Sequence, residues 1–186
     1  MNQMNVWGMT DIGLVRKENQ DAYATSQHAA SGRTVGVVCD GMGGPAGGRV
    51  ASQIAVSVYL EELEKLLTAD QTPQQLLEAS AQAVSLANQA IQQEAERREE
   101  CRNMGTTLVS AISYDAGVVV TNVGDSRAYH ITEDGITRVT KDHSLVESMV
   151  DRGDITAEEA RRHPSRNLIT RALGPDISAD CDGYIC

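Results

Sequence analysis

Two long helical patterns stand back to back, and the chain that follows them alternates like strands as far as Thr140. This order excludes a doubly wound parallel sheet. In the first pattern, from about Gly48 to Leu67, Val50, Ile54, Val58 and Leu63 share one face, with Ala51 and Ala55 beside them. Thr68 to Gln71 interrupts it. Thr72-Pro73-Gln74-Gln75 then starts the second pattern, with Thr72 fit for an N-cap, Pro73 for the first helical position and Gln75 for a capping box. Leu76, Ser80, Ala83, Val84, Ala87 and Ile91 carry that face to about Glu96, where a charge run reads as a solvated end. Next, Thr106 to Ser113 and Val118 to Asn122 read as strands joined at Asp115-Ala116-Gly117. Ala128 to Ile131 and Ile136 to Thr140 form a second hairpin around Glu133-Asp134-Gly135. Helices segregated from an antiparallel meander make an α+β chain.

Ahead of the helices, Val6 to Met9 reads as a short first strand and Tyr23 to Thr25 as another. Between them lies a polar turn flanked by Arg16 and Asp21, residue types that usually occupy a solvated loop. The run Val35-Gly36-Val37-Val38-Cys39-Asp40 is a buried strand ending in a carboxylate, and Gly41, Gly43, Gly44 and Gly47 follow it. Such a junction holds a charged group at a fixed point and lets the backbone approach a ligand. Three readings stay open on this stretch: a cation site, a phosphate site, or a turn in which Asp40 satisfies nearby amides. Beyond Thr140 the chain is helical in short pieces. Ser144-Leu145-Val146-Glu147 and Thr156-Ala157-Glu158-Glu159 both carry capping-box spacing. This polar insertion, from about 142 to 166, has the character of a flap. Asn167 to Leu173 is apolar-rich, and from Gly174 the chain reads as loop to its end.

Composition narrows the function classes. At 186 residues the chain is one domain. It has no Phe and one Trp, so its core must be aliphatic. A formal charge of −10 argues against nucleic acid or an anionic membrane as partner. Met1 to Asn5 has neither a basic nor an apolar leader region, and no apolar run is long enough to span a bilayer. Cys39, Cys101, Cys181 and Cys186 form no Cys-x-x-Cys pair and have no zinc-site spacing, which fits a reduced, cytoplasmic compartment.

Several chemistries fail on particular residues. Gly43 and Gly48 have P-loop spacing, but Arg49 and Val50 stand where Lys and Ser or Thr are needed. The dinucleotide pattern is met by Gly41-Met42-Gly43-Gly44-Pro45-Ala46, yet Asp40 would face the pyrophosphate and a helix runs where the second strand belongs. Ser126 lacks the glycine-flanked elbow of a hydrolase nucleophile, although His143 follows Asp142. Metal binding by Asp40 survives, because a hard cation takes carboxylate and backbone carbonyl oxygens. Val123-Gly124-Asp125-Ser126-Arg127 is a second acidic turn, in which Asp125 either pairs with Arg127 or adds a carboxylate to the same centre.

Six blocks occur in one order: Arg16 with Asn19-Gln20-Asp21, Asp40-Gly41-Met42-Gly43-Gly44, Met104-Gly105-Thr106-Thr107, Gly124-Asp125-Ser126-Arg127-Ala128-Tyr129, Thr140-Lys141-Asp142-His143-Ser144-Leu145, and Ile169-Thr170-Arg171-Ala172-Leu173-Gly174. In this the chain closely resembles the bacterial branch of the metal-dependent protein Ser/Thr phosphatases of type 2C. The resemblance implies a four-layer α-β-β-α sandwich of two antiparallel sheets flanked by helices. It implies two Mn2+ or Mg2+ ions, with a third, weaker one. By resemblance Asp40 bridges the two metals, the Gly41 carbonyl binds one, Asp21 acts through metal-bound water, Asp125 belongs to the third site and Arg16 holds the phosphate. The substrates implied are phosphorylated Ser/Thr proteins, with a cognate Ser/Thr kinase as the opposing enzyme.

The chain departs from the family pattern in three ways, one being that Pro45 and Arg49 stand where a His and a Glu are common. Met42 stands where some members carry a His that protonates the leaving group, which leaves a bound water, His143 or His163 for that task. The family also continues to a Ser-Asp-Gly and a later Asp-Asn that supply metal carboxylates, and this chain ends at Cys186 before either. Asp182-Gly183 is no substitute, since Ile177 to Cys181 is not an apolar strand. The expectation is a single, C-terminally incomplete catalytic domain over 1–186, with uncovered apolar faces. The alternative expectation is an inactive fragment or pseudophosphatase that binds a phosphoprotein partner.

Overall fold

The computed structural model describes residues 4–186. The first three residues, on which the reading of the N-terminus partly rests, lie outside the described residues. The elements are β1 (Asp21–Gln27), β2 (Thr34–Met42), α1 (Gly44–Leu66), α2 (Pro73–Arg97), β3 (Gly105–Thr106), β4 (Leu108–Tyr114), β5 (Gly117–Val123), β6 (Tyr129–Thr132), β7 (Gly135–Arg138), α3 (Leu145–Asp151), α4 (Ala157–Arg162) and β8 (Asp182–Ile185). β1-β2-β4-β5-β8 form one sheet, with β3 paired to β2, and β6-β7 form a separate ribbon. Every strand pairing is antiparallel.

Strand alternation decides what each face meets. Val35, Val37 and Cys39 of β2, Leu108 and Ile112 of β4, and Val119 and Val123 of β5 join one buried cluster with Ala51, Ala55, Tyr59 and Leu63 of α1 and with Leu76, Val84 and Ile91 of α2. The two helices pack on each other and on this one face of the sheet. The mixed, antiparallel, helix-flanked architecture is the one expected. Of the four layers, the described residues supply the helix pair, the sheet and the β6-β7 ribbon. Ile131 and Ile136 on that ribbon are each 69% exposed, and Val38 on the other face of the sheet is also exposed.

With no Phe available, Tyr59 is the largest fully buried side chain, and its hydroxyl needs partners. It meets Ser80 Oγ and Ser110 Oγ, each at 2.6 Å, and Ser80 donates on to Thr121 at 2.7 Å. This chain of hydroxyls joins α1, α2, β4 and β5 at the level of their apolar contacts.

The capping signals hold with one difference. Thr72 and Thr156 form full capping boxes. Ser144 caps α3 by accepting from the Glu147 amide, but the Glu147 carboxylate turns away to pair with Arg138 of β7. A neighbouring cation wins over the reciprocal cap.

Two expectations are corrected. Val6 to Met9 is not a strand; Gly8 instead lies flat on Tyr23, whose hydroxyl donates to the Gly8 carbonyl at 2.8 Å. The terminal stretch is not all loop, because β8 pairs with β5 in the register Asn122↔Asp182 to Val119↔Ile185. Four residues beginning Asp-Gly are too short and too polar to signal a strand; the open edge of β5 supplies the ladder. Among the described residues no helix is long and apolar enough to cross a membrane.

Candidate active site

The sheet brings the carboxylates together. Asp21 opens β1 and Asp40 lies near the end of β2, and the antiparallel register sets them directly opposite each other. Because side chains alternate, Cys39 points into the helix-covered core while Asp40 points to the other face. β2 continues two residues past the expected junction, as Gly41 and Met42 pair with Thr106 and Gly105. Asp125 follows β5 at the same end of the sheet, and Asp182 opens β8 there.

The backbone around Asp40 is held from three sides. The Asp40 amide donates to Thr107 Oγ1 at 3.0 Å, and its carbonyl accepts from the Thr107 amide at 2.9 Å and from Thr106 Oγ1 at 3.0 Å. Thr107 Oγ1 also meets Ser126 Oγ at 2.7 Å, so the hydroxyl considered as a nucleophile is a tie between turns. Gly41 is required by crowding: a Cβ there would overlap the Gly48 carbonyl oxygen and sit 2.7 Å from that of Gln20, both backbone atoms. This close approach of β2 to the first turn of α1 fixes where the Asp40 carboxylate stands.

Electrostatics single out the Asp pair. The Asp40 carboxyl is pushed up to about 6, first by desolvation, then by the charge of Asp21 and a hydrogen bond to it, and further by Asp125; Arg16 opposes these. Asp125 is also raised, chiefly by desolvation and then by Asp142, against its own backbone amide and Arg127. A carboxyl pushed up by burial and by a facing carboxylate holds its proton more readily unless a cation replaces it. That is the donor chemistry of a hard divalent ion, and the pair fits one. The full cage is another matter: among the described residues no three His, Cys, Asp or Glu side chains converge as a metal site.

Arg16 and Asp125 complete the surroundings. A cavity of about 690 Å3 is lined by Arg16, Gln20, Asp40, Gly41, Met42, Asp125, Asn167 and Ile169 among others. A smaller one of about 250 Å3 reaches Asp21 through Arg16, Asn19 and Gln20. Two arginines nearby are engaged, Arg49 paired to Glu18 and Arg127 held by Asp142 in a two-pronged contact at 2.6 to 3.1 Å. Among the described residues Arg16 has no ion-pair partner. The structure thus brings Arg16, Asp21, Asp40, Gly41 and Asp125 to one place. The two histidines considered as acids lie elsewhere: His143 is buried with both ring nitrogens engaged, and His163 Nδ1 accepts from the Ser165 amide. Sequence reasoning missed the parts played by Thr106, Thr107 and Asp182. For the threonines, a Thr-Thr pair opening a strand was the available signal.

The chain is similar to known proteins over most of its length. The family model Protein phosphatase 2C matches residues 15–182. The serine/threonine phosphatase stp of Listeria innocua is 36% identical over 176 residues, which is 95% of this chain and 69% of that protein. The serine/threonine protein phosphatase PstP of Mycobacterium tuberculosis is 38% identical over 165 residues, 88% of this chain and 30% of that protein. In the crystal structure of the serine/threonine phosphatase Stp1 from Staphylococcus aureus the same fold recurs with a TM-score of 0.84 at 36% identity, over 95% of this chain and 68% of that one.

Proposed function

The chain belongs to the protein phosphatase 2C family of serine/threonine phosphatases, and from that premise we propose that it hydrolyses phosphoserine and phosphothreonine on proteins by direct attack of water, using two Mn2+ or Mg2+ ions and reversing a Ser/Thr kinase. The observation that carries this reading is the facing pair of Asp21 and Asp40, with the Asp40 carboxyl raised to about 6, near Arg16, whose charge acts on Asp40 and which closes no ion pair among the described residues.

Asp40, Asp21 and the Gly41 carbonyl would hold the cations, and Asp125 a third, weaker one. Bound there, the metals would make water more acidic and offset the charge of the phosphoryl oxygens. Asp21 accepts a hydrogen bond from the attacking water and orients it. Arg16 holds two phosphoryl oxygens in its planar fork and so aligns the phosphorus with that water. Met42 has no proton to give, so the leaving oxygen takes its proton from solvent in the open cavity. The segment 142–166 serves as a flap. It is anchored by Arg138 to Glu147 and by Lys141 to Asp151, and is followed by Asn167 and Ile169 at the cavity wall.

Hydrolysis of a phosphothreonine peptide, followed as released phosphate, tests the reading. Turnover appears with Mn2+ and is lost with EDTA; metal-independent turnover contradicts it, and peptide capture without turnover points to a binding module. Arg16→Ala weakens the reaction through phosphate recognition, with kcat/KM falling about tenfold to a hundredfold. Mn2+ affinity stays near that of the unaltered chain, as calorimetry can show; an equal fall in metal affinity would move Arg16 out of the phosphate role.

A further inference from the structure

His143 stands between the Asp125 turn and β8, and every polar atom it has is used. Its amide donates to the Gly124 carbonyl at 2.9 Å, and its own carbonyl accepts from the Thr170 amide at 2.8 Å. The Gly124 amide donates to His143 Nδ1 at 3.0 Å, so one residue grips Gly124 by both backbone groups. Asn122 adds a third contact, donating from Nδ2 to the same carbonyl at 3.2 Å. The grip matters because Gly124 has φ +106, and its Cβ position is filled by the Thr107 side chain at 2.6 Å. No other residue fits that turn, and Asp125 is the next residue along.

The donor at Nδ1 fixes the tautomer. A backbone N–H can only donate, so Nδ1 carries the lone pair and the neutral ring has its proton on Nε2. Asp182 Oδ2 lies 3.1 Å from Nε2 and accepts that proton's hydrogen bond. Arg171 Nη1 is 3.3 Å from Nε2, a meeting of two donors; it donates instead to Asp182 Oδ1 at 3.0 Å. Desolvation works upward on the Asp182 carboxyl, but His143 and then Arg171 outweigh it and hold the group below the usual carboxylate range. Asp182 is therefore an ionised anchor that holds the imidazole in one tautomer and one orientation.

We propose that His143, oriented by Asp182, is a positioning residue that fixes the Gly124–Asp125 turn and thereby aims the Asp125 carboxylate into the catalytic cavity. The functional part of this rests on Asp125 being a metal carboxylate, while the positional part does not. Asparagine and glutamine substitutions separate the two ends of the imidazole. In His143→Asn the amide oxygen takes the place of Nδ1 and keeps the Gly124 contact. In His143→Gln the longer side chain reaches toward Asp182, and Gly124 loses its acceptor. Four 15N-labelled chains are compared: unaltered, His143→Asn, His143→Gln and Asp182→Asn. The unaltered protein shows an unprotonated Nδ1 and a protonated Nε2, with the Gly124 amide proton shifted downfield. His143→Asn keeps that shift, whereas His143→Gln loses it and moves the Asp125 amide. Paramagnetic broadening of the Asp125 amide by Mn2+ then requires about tenfold more metal in His143→Gln, and close to the unaltered amount in His143→Asn. Asp182→Asn falls between them and loses the single tautomer. The proposal is overturned if His143→Gln leaves both amides unmoved, or if the two His143 variants move them equally and in step with lost thermal stability, which is packing alone. Absence of Mn2+ broadening at Asp125 in the unaltered chain removes the metal reading, and the Gly124 and Asp125 shifts still decide the positional one.

Discussion

Asp40→Asn lowers phosphopeptide turnover by roughly a thousandfold or more, since it removes the carboxylate on which the cation site is centred. The same change stabilises the metal-free protein at neutral pH. The sign follows from the raised carboxyl: Asp40 titrates near 6 when folded against 3.8 when unfolded, so the native state binds the extra proton between those values. Stability of the metal-free chain therefore falls as pH rises from about 4 to above 6, and the loss is complete at pH 7.5. The carboxylate is only half-buried, and after allowance for solvent screening the effect is about 1 kcal/mol. Asn carries no charge to desolvate or to oppose Asp21. In EDTA at pH 7.5 the variant melts a few degrees higher, and its stability falls less across that window than the unaltered chain's does. A variant with near-normal turnover would remove Asp40 from the chemistry, whatever its melting point.

Gly41→Ala has the largest expected effect on the fold. Its Cβ would overlap one backbone oxygen and stand 2.7 Å from another, and neither can rotate away. β2 must separate from α1 or from the strand start at Asp21, at a cost of about 3 kcal/mol or more. Gly36→Ala on the same strand is the control, because nothing lies within 4 Å of its Cβ. Urea unfolding should place Gly36→Ala within about 1 kcal/mol of the unaltered protein. Equal midpoints for the two variants would show that the Gly41 contact does not constrain the strand.

Much of this was legible in the residues. The long helices announced themselves through apolar spacing and through Thr72 and Pro73, because cap and periodicity act locally. The strand before Asp40 was equally plain, as were the two hairpins. β8 was hidden because its pairing depends on the edge of β5, far away in the chain, and Asp182-Gly183 carries no β signal of its own. Val6 to Met9 misled in the opposite direction: short and apolar, it satisfies a strand pattern, but it has no partner strand among the described residues and rests on Tyr23. The site was legible as ordered blocks, which named Asp21, Asp40 and Asp125 without their geometry. That the first two face each other is a matter of strand register, and part of the upward push on the Asp40 carboxyl depends on that register. Ser126 and His143 invited catalytic readings from residue type alone. Their environments, a hydroxyl tie to Thr107 and a grip on Gly124, are long-range facts that no local pattern records.

The central claim is that a divalent cation displaces the proton held on Asp40 opposite Asp21. Calorimetric titration with Mn2+ at pH 6, repeated in two buffers of different ionisation enthalpy, counts protons released per ion bound. The predicted result is release of about half a proton per ion in the unaltered chain, with weak binding and no release in Asp40→Asn. Equal affinity in the two proteins, with no proton released by either, would contradict it.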